Sequence, residues 1–322
     1  MDRRTFMGSI AGGLVAKPYF ARAQQPAILA VGLLRSTPSA PFANIVEALR
    51  QGLKETGFVE GQNVTIEQRW ADNQLDRLPG LAADLVRLHV GVIVTNDGSV
   101  AKQATATIPI VFVTSDAMLG GLVASLNRPG GNVTGVNFLA NQLGGKRLGL
   151  LLELVPKVTV IAFLMDPGRR ASVAEYPEVE AAARSVGRKI VLVKAASERE
   201  FEPAFASIVQ ARADALVVGG SALYTSRSRE LVALAARHSL PAIYDLRNHA
   251  AAGGLISYGA SLPAAYRQAG VYAGRILKGA QPSELPVLQS TTFELVINMK
   301  TAKALGLTVP QSLLLSADEV IR

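Results

Sequence analysis

The sequence predicts an α/β protein of two doubly wound lobes, each built on a parallel sheet and joined by a multi-strand hinge. Three observations carry this. Strand-length apolar runs alternate with amphipathic helical stretches along the chain, the pattern of β-α-β units. The alternation closes near residue 138 and restarts at once with no Ser/Pro-rich linker between, and 322 residues exceed the ~100 to 200 of one ordinary domain. A strand-like stretch at 293–297 follows a long helix and two prolines, Pro282 and Pro286, so the chain crosses between the lobes more than once.

Taken in order, the first unit runs strand 28–34, helix 42–56 ending at Gly57, strand 64–70, helix 75–88, strand 92–95, helix 98–105 and strand 110–114. A helix over 119–126 and the turn Asn127-Arg128-Pro129-Gly130-Gly131-Asn132 lead to its last strand, 133–138. The second unit runs helix 144–154, strand 158–165, helix 171–186, strand 189–193, helix 201–210, strand 215–218, helix 224–238 and strand 242–244. Gly253-Gly254 opens strand 255–258, and helix 263–277 ends at Lys278-Gly279.

Composition narrows the function classes. With 49% hydrophobic and 18% charged residues the chain builds a large core, yet no apolar run beyond residue 23 approaches the ~20 residues of a membrane-spanning helix. The absence of cysteine excludes disulfides, thiol catalysis, zinc-thiolate sites and a lipid-bearing cysteine anchor. The formal charge of +8 owes part to Arg3, Arg4, Lys17 and Arg22. No arginine stripe interleaves with aromatics, so no nucleic-acid partner is expected; Arg169-Arg170 and Arg227-Ser228-Arg229 read as solvated helix starts.

The first 23 residues read as an export signal of twin-arginine type. The pair Arg3-Arg4 with Phe6 precedes a short apolar run, and Ala21-Arg22-Ala23 has the A-x-A form of a cleavage site, which places the mature start near Gln24 in the periplasm. Catalytic signatures are missing: no G-x-G-x-x-G after the first strand, no phosphate-binding G-x-x-x-x-G-K-[ST] and no G-x-S-x-G. His89, His238 and His249 are scattered and read as capping or surface residues rather than metal ligands or bases. A non-enzyme without cofactor or metal is the expectation, and an exported α/β enzyme the alternative.

Polar residues gather just past the carboxyl ends of the strands, where open α/β sheets bind ligands. The clusters are Arg35-Ser36-Thr37, Asn96-Asp97-Gly98-Ser99, Thr114-Ser115-Asp116, and Asp166 with Gly219-Gly220-Ser221. Each precedes a predicted helix, so simple N-capping explains any one of them as well as ligand binding does. As a site, Ser99, Thr114 and Ser115 would hold a carboxylate at helix N-termini. Asp116, Asp166 or Asp245 would take an ammonium; Phe138, Tyr244 and Tyr258 would cover an apolar portion; Ser36, Asn96 and Ser221 complete the set.

Several stretches together resemble one family. They are Gly57-Phe58-Val59-Glu60-Gly61-Gln62-Asn63-Val64 within 52–64, Thr107-Ile108-Pro109-Ile110-Val111-Phe112, and Leu126-Asn127-Arg128-Pro129-Gly130-Gly131-Asn132-Val133 within 121–135. Leu234-Ala235-Ala236-Arg237-His238, the run 252–259 and Phe293-Glu294-Leu295-Val296-Ile297-Asn298 also match. The chain so resembles the ABC transporter substrate-binding proteins that include the tryptophan- and tyrosine-uptake receptors. It departs from them at Asp116-Ala117-Met118, where relatives usually carry Asp-Pro-Val, and in the loop 96–99. The resemblance implies the periplasmic-binding-protein-like type I fold, with three crossovers and a small solute held between the lobes. On that basis residues 24–138 with 259–289 form one lobe and 139–258 with 290–322 the other. The implied function is solute capture for an ABC permease by a freely diffusing monomer. An amino acid or related carboxylate is the implied ligand, and presentation to a sensor is the alternative.

Overall fold

A computed structural model describes residues 28–115, 117–118 and 121–322. The export-signal reading of residues 1–23 and the residue Asp116 therefore lie outside the described residues.

Strands β1 (Leu29–Arg35), β2 (Val64–Trp70), β3 (Val92–Thr95), β4 (Ile110–Thr114) and β5 (Val133–Asn137) are all parallel, in the spatial order β5-β4-β3-β1-β2. β1 lies between β2 and β3, with Leu33 opposite Gln68 on one side and Val94 on the other. Helices α1 (Ala43–Glu55), α2 (Leu78–Arg87) and α3 (Gly98–Ala104) connect them. α1 places Ile45, Val46, Leu49 and Leu53 on one face by its 3.6-residue period, and all four are buried against the sheet.

The second unit follows as α4 (Gly144–Leu154), β6 (Val160–Met165), α5 (Arg170–Ser185), β7 (Lys189–Lys194), α6 (Phe201–Gln210) and β8 (Ala215–Val218). It continues with α7 (Ala222–Ser226), α8 (Ser228–Arg237), β9 (Ala242–Tyr244), α9 (Arg247–Ala251) and β10 (Ile256–Ala260). α10 (Leu262–Leu277) then returns to the first lobe, and β11 (Leu288–Gln289) adds to β5. The chain ends in the second lobe with β12 (Phe293–Asn298), α11 (Met299–Ala304), α12 (Gln311–Ser316) and β13 (Glu319–Ile321). The second sheet has the order β13-β12-β10-β9-β8-β6-β7.

Three passages join the lobes: β5 to α4, β10 to α10 and β11 to β12. Backbone hydrogen bonds stitch them, from Ser290 N to Asn137 O at 2.9 Å and from Ser261 N to Thr292 O at 3.1 Å. At the second passage Gly259 runs so close to the Asp245 carbonyl that a Cβ there would lie 1.8 Å from the oxygen.

Four local expectations are corrected. The described part of 119–126 forms turns and no helix, held by Ala124 N donating to Pro129 O at 3.1 Å. The helix over 224–238 breaks at Arg227 into α7 and α8. β12 pairs antiparallel with β10, so the second sheet is mixed rather than wholly parallel. His249 is not a surface residue: it is fully buried in α9, its ring stacked on Tyr244 at 4.7 Å. Among the described residues no helix is long and apolar enough to cross a membrane.

Candidate functional site

In each sheet the strand order reverses direction once, between β1 and β3 in the first and between β6 and β8 in the second. Such switch points open a crevice beyond the strand carboxyl ends because the flanking connections leave to opposite faces. The two crevices face one another here and enclose a cleft of about 310 Å³.

The first lobe lines it with Arg35 at the end of β1, Phe42, the loop Asn96–Ser99, the end of β4 from Val113 to Ser115, Leu122 and Phe138. Arg35 is buried, its guanidinium over the Phe42 ring at 4.7 Å and the Tyr266 ring at 5.2 Å. It donates to the Tyr266 hydroxyl and, at 3.4 Å, to Thr37 Oγ1. Burial lowers its pKa, Tyr266 opposing. Asn96 lines the cleft with both ends of its amide engaged: Nδ2 donates to Ser36 Oγ at 2.8 Å, and Oδ1 accepts from Ser36 N at 3.0 Å. Ser36 thus ties the ends of β1 and β3 together and is not among the lining residues. Asp97 caps α3, accepting from Val100 N at 3.4 Å. Thr114, Ser115 and Ser99 line the same wall.

The second lobe contributes Gly168–Ala171, Glu175, Gly220–Ala222, Thr225, Asp245 and Leu246, and Leu262 opens α10 at the edge. Glu175 is fully buried. It accepts from the Arg147 guanidinium on one oxygen and from Gly220 N at 3.1 Å on the other. Burial raises its pKa, and Arg147 opposes that rise. Asp166 lies outside the lining with both oxygens bonded, to Ser221 Oγ at 2.6 Å and Gly168 N at 2.9 Å. It braces the loops after β6 and β8. Ser221 reaches the cleft while donating to Asp166 and capping α7. Asp245 is different: it lines the cleft, is buried, and its Oδ1 has no hydrogen-bond partner. Burial pushes its pKa up to about 7, with Arg147 opposing and Glu175 reinforcing. His249 Nδ1 stands 3.7 Å away, its own pKa lowered by burial to about 4.

Of the aromatic residues singled out in the sequence, Phe138 lines the cleft. Tyr244 lies in the second lobe's core, and Tyr258 stacks against Phe293 at 6.3 Å. Sequence reasoning missed Phe42, Glu175 and the cleft role of Arg35. Arg169 and Arg170 do stand at the start of α5, Arg170 exposed as expected, but both also line the cleft. Among the described residues two polar side-chain pairs bridge the lobes: Arg169 to Asp97 at 3.5 Å, and Asn73 Nδ2 to Ser226 Oγ at 3.1 Å. Among the described residues no cluster of three or more His, Asp or Glu side chains stands ready for a metal.

A family model described as ABC transporter substrate binding protein matches residues 31–321. A tyrosine-binding protein of Clostridioides difficile is 26% identical over 275 residues, covering 84% of this chain and 77% of the relative. A crystal structure of an ABC domain from Streptococcus pneumonia in complex with L-Trp superposes with a TM-score of 0.83 at 25% identity, over 91% of this chain and 99% of that one. A conserved domain protein from Vibrio cholerae superposes with a TM-score of 0.85, also at 25% identity, over 91% and 99%.

Proposed function

The chain belongs to the ABC transporter substrate-binding protein family, and from that premise we propose that it is the extracytoplasmic receptor of an importer. It closes on one amino-acid-sized solute and hands it to a membrane permease. The observation that carries this is the cleft itself: about 310 Å³ between two switch points, with polar groups on both walls, the low end of the ~300–1,000 Å³ usual for small-molecule sites. The hydroxyls of Ser99, Thr114 and Ser115 solvate the polar end of the solute. Asp245, with a free oxygen, takes its ammonium, while Phe42 and Phe138 cover an apolar portion. An aromatic amino acid is the first candidate, supported by the tyrosine-binding relative and the L-Trp complex.

The solute leaves unchanged, so the protein is a carrier and not an enzyme. It acts as a monomer, a reading supported by a cleft whose described lining comes from one chain. The N-terminal Arg3-Arg4 pair and Ala21-Arg22-Ala23 support export to the periplasm by the twin-arginine route. The test is native mass spectrometry of protein purified without refolding, followed by calorimetry with L-tryptophan and L-tyrosine. A co-purified amino-acid-sized solute with one site per chain is expected. A solute consumed on incubation would overturn the carrier reading.

A further inference from the structure

Arg35 is a buried cation without a counter-ion among the described residues. It is only 3% exposed, and among the described residues no carboxylate pairs with it. Its hydrogen-bond partners are two neutral hydroxyls, those of Tyr266 and Thr37, and its Nε has none. The charge that acts on it from within the described residues, Arg169, is of the same sign. A guanidinium keeps its proton in proteins, so it cannot escape burial by becoming neutral. An unpaired charge removed from water is costly, and folds retain one where something supplies the opposite charge. The rings of Phe42 and Tyr266 fix the guanidinium plane, and the open space it borders is the cleft.

The helix termini invoked in the sequence reading do not fill this need. α3 is a short helix of seven residues whose N-terminus is already capped by Asp97, and the described residues between Ser115 and β5 form no helix. Of the described carboxylates lining the cleft, Asp97 faces Arg169, Glu175 is paired with Arg147, and Asp245 makes no ion pair with Arg35, so none of the three neutralises it.

We propose that Arg35 is the anion anchor of the cleft, and that the solute is an organic carboxylate whose carboxylate supplies the missing counter-ion. This rests on the solute-receptor reading and narrows its substrate class: neutral sugars and polyols are excluded, and a cationic group opposite, at Asp245, is optional while the carboxylate is not. Arg35 thereby acts as a specificity-determining residue, and the neighbouring hydroxyls orient what it attracts.

The experiment titrates the full chain by calorimetry with L-tryptophan, L-leucine, benzoate and succinate, with the primary amide of each, and with D-glucose and D-ribose. At least one acid is expected to bind, and its amide about ten- to a hundred-fold more weakly, the range of a hydrogen bond to a charged group. Arg35→Gln should weaken the acid by that factor more than it weakens the amide, so that the preference for acid over amide collapses, and Arg35→Lys should restore part of the preference. Melting curves confirm folding; the comparison of acid with amide on the unmodified protein needs no variant. Equal binding of acid and amide, an unchanged preference in Arg35→Gln, or binding of a sugar alone would remove the anchor and leave the receptor reading standing. Failure of every acid, amide and sugar to bind would remove both.

Discussion

Arg147 and Glu175 are fully buried, 28 positions apart in sequence, and form one ion pair at the cleft wall, which Glu175 lines. Removing one partner of such a pair leaves a buried charge, which typically costs about 3–5 kcal/mol. Arg147→Met should therefore lose stability of that order at pH 7 by urea titration, and less at low pH, where Glu175 takes up a proton. Asp245 supports a second prediction. Its folded pKa, about 7, lies above the ~3.9 of an unfolded carboxyl, so the fold binds this proton more tightly than the unfolded chain does. Its contribution is complete below about pH 4 and is lost as pH rises toward 7. His249 runs the other way: lowered to about 4 from ~6.5, it favours the fold above ~6.5 and loses that as pH falls. Asp245→Asn removes the first slope and keeps the second, as well as the contributions of Glu175 and Asp166. The melting temperature of the unmodified protein minus that of Asp245→Asn should fall as pH rises from 4 to 7. A difference that grows with pH would mean that Asp245 is ionised in the fold. Neither pair announces itself in sequence, because Glu175 sits in an ordinary helical pattern and its partner is supplied by tertiary packing. Arg35 was visible at a strand end, but nothing local says that two aromatic rings from 42 and 266 will bury it.

At the scale of elements, α1 and α10 meet face to face although about 200 residues separate them. Their contact depends on two glycines: a Cβ on Gly52 would lie 1.9 Å from the Arg267 carbonyl oxygen, and one on Gly270 would lie 2.4 Å from that of Leu49. Backbone cannot yield as a side chain does, so Gly52→Ala or Gly270→Ala should cost about 1–3 kcal/mol or more through forced separation of the helices. A denaturation midpoint unchanged in both would show that the helices slide apart freely. Most of the strands were legible: β2, β3, β4, β8 and β9 span the residues their apolar runs predicted, because Gly, Pro and polar residues punctuate them on both sides. Elements that tertiary pairing alone creates were not. β11 has two residues and β13 three, too few for any period to register. The reverse error came at 119–126, where an apolar run with helical composition is held in turns over its described part, from 121 on. Leu122 is buried under Gly98, and its carbonyl accepts from Lys102 Nζ at 3.1 Å, contacts that specify position rather than helix.

At the scale of the molecule, three passages join the two lobes, and under the proposed closure what holds the lobes together determines how tightly a solute is kept. Asn73 and Ser226 meet across the cleft from opposite lobes and lie outside its lining, so their bond acts on closure without touching the solute. A neutral hydrogen bond contributes about 0.5–1.5 kcal/mol net, which is about two- to twelve-fold in an equilibrium between open and closed forms. Ser226→Ala deletes the hydroxyl at the end of α7 without changing any cleft wall. Its solute-free radius of gyration by small-angle scattering should exceed that of the unmodified protein, and saturating solute should return both to one compact value. Apparent affinity depends on the fraction of molecules able to close, so the same variant should bind more weakly by no more than about that factor, most of it in the off-rate. The salt-sensitive Arg169–Asp97 pair remains in the variant and supplies an internal contrast. Raising ionic strength should open Ser226→Ala further than the unmodified protein, because only one of its two latches is left to resist.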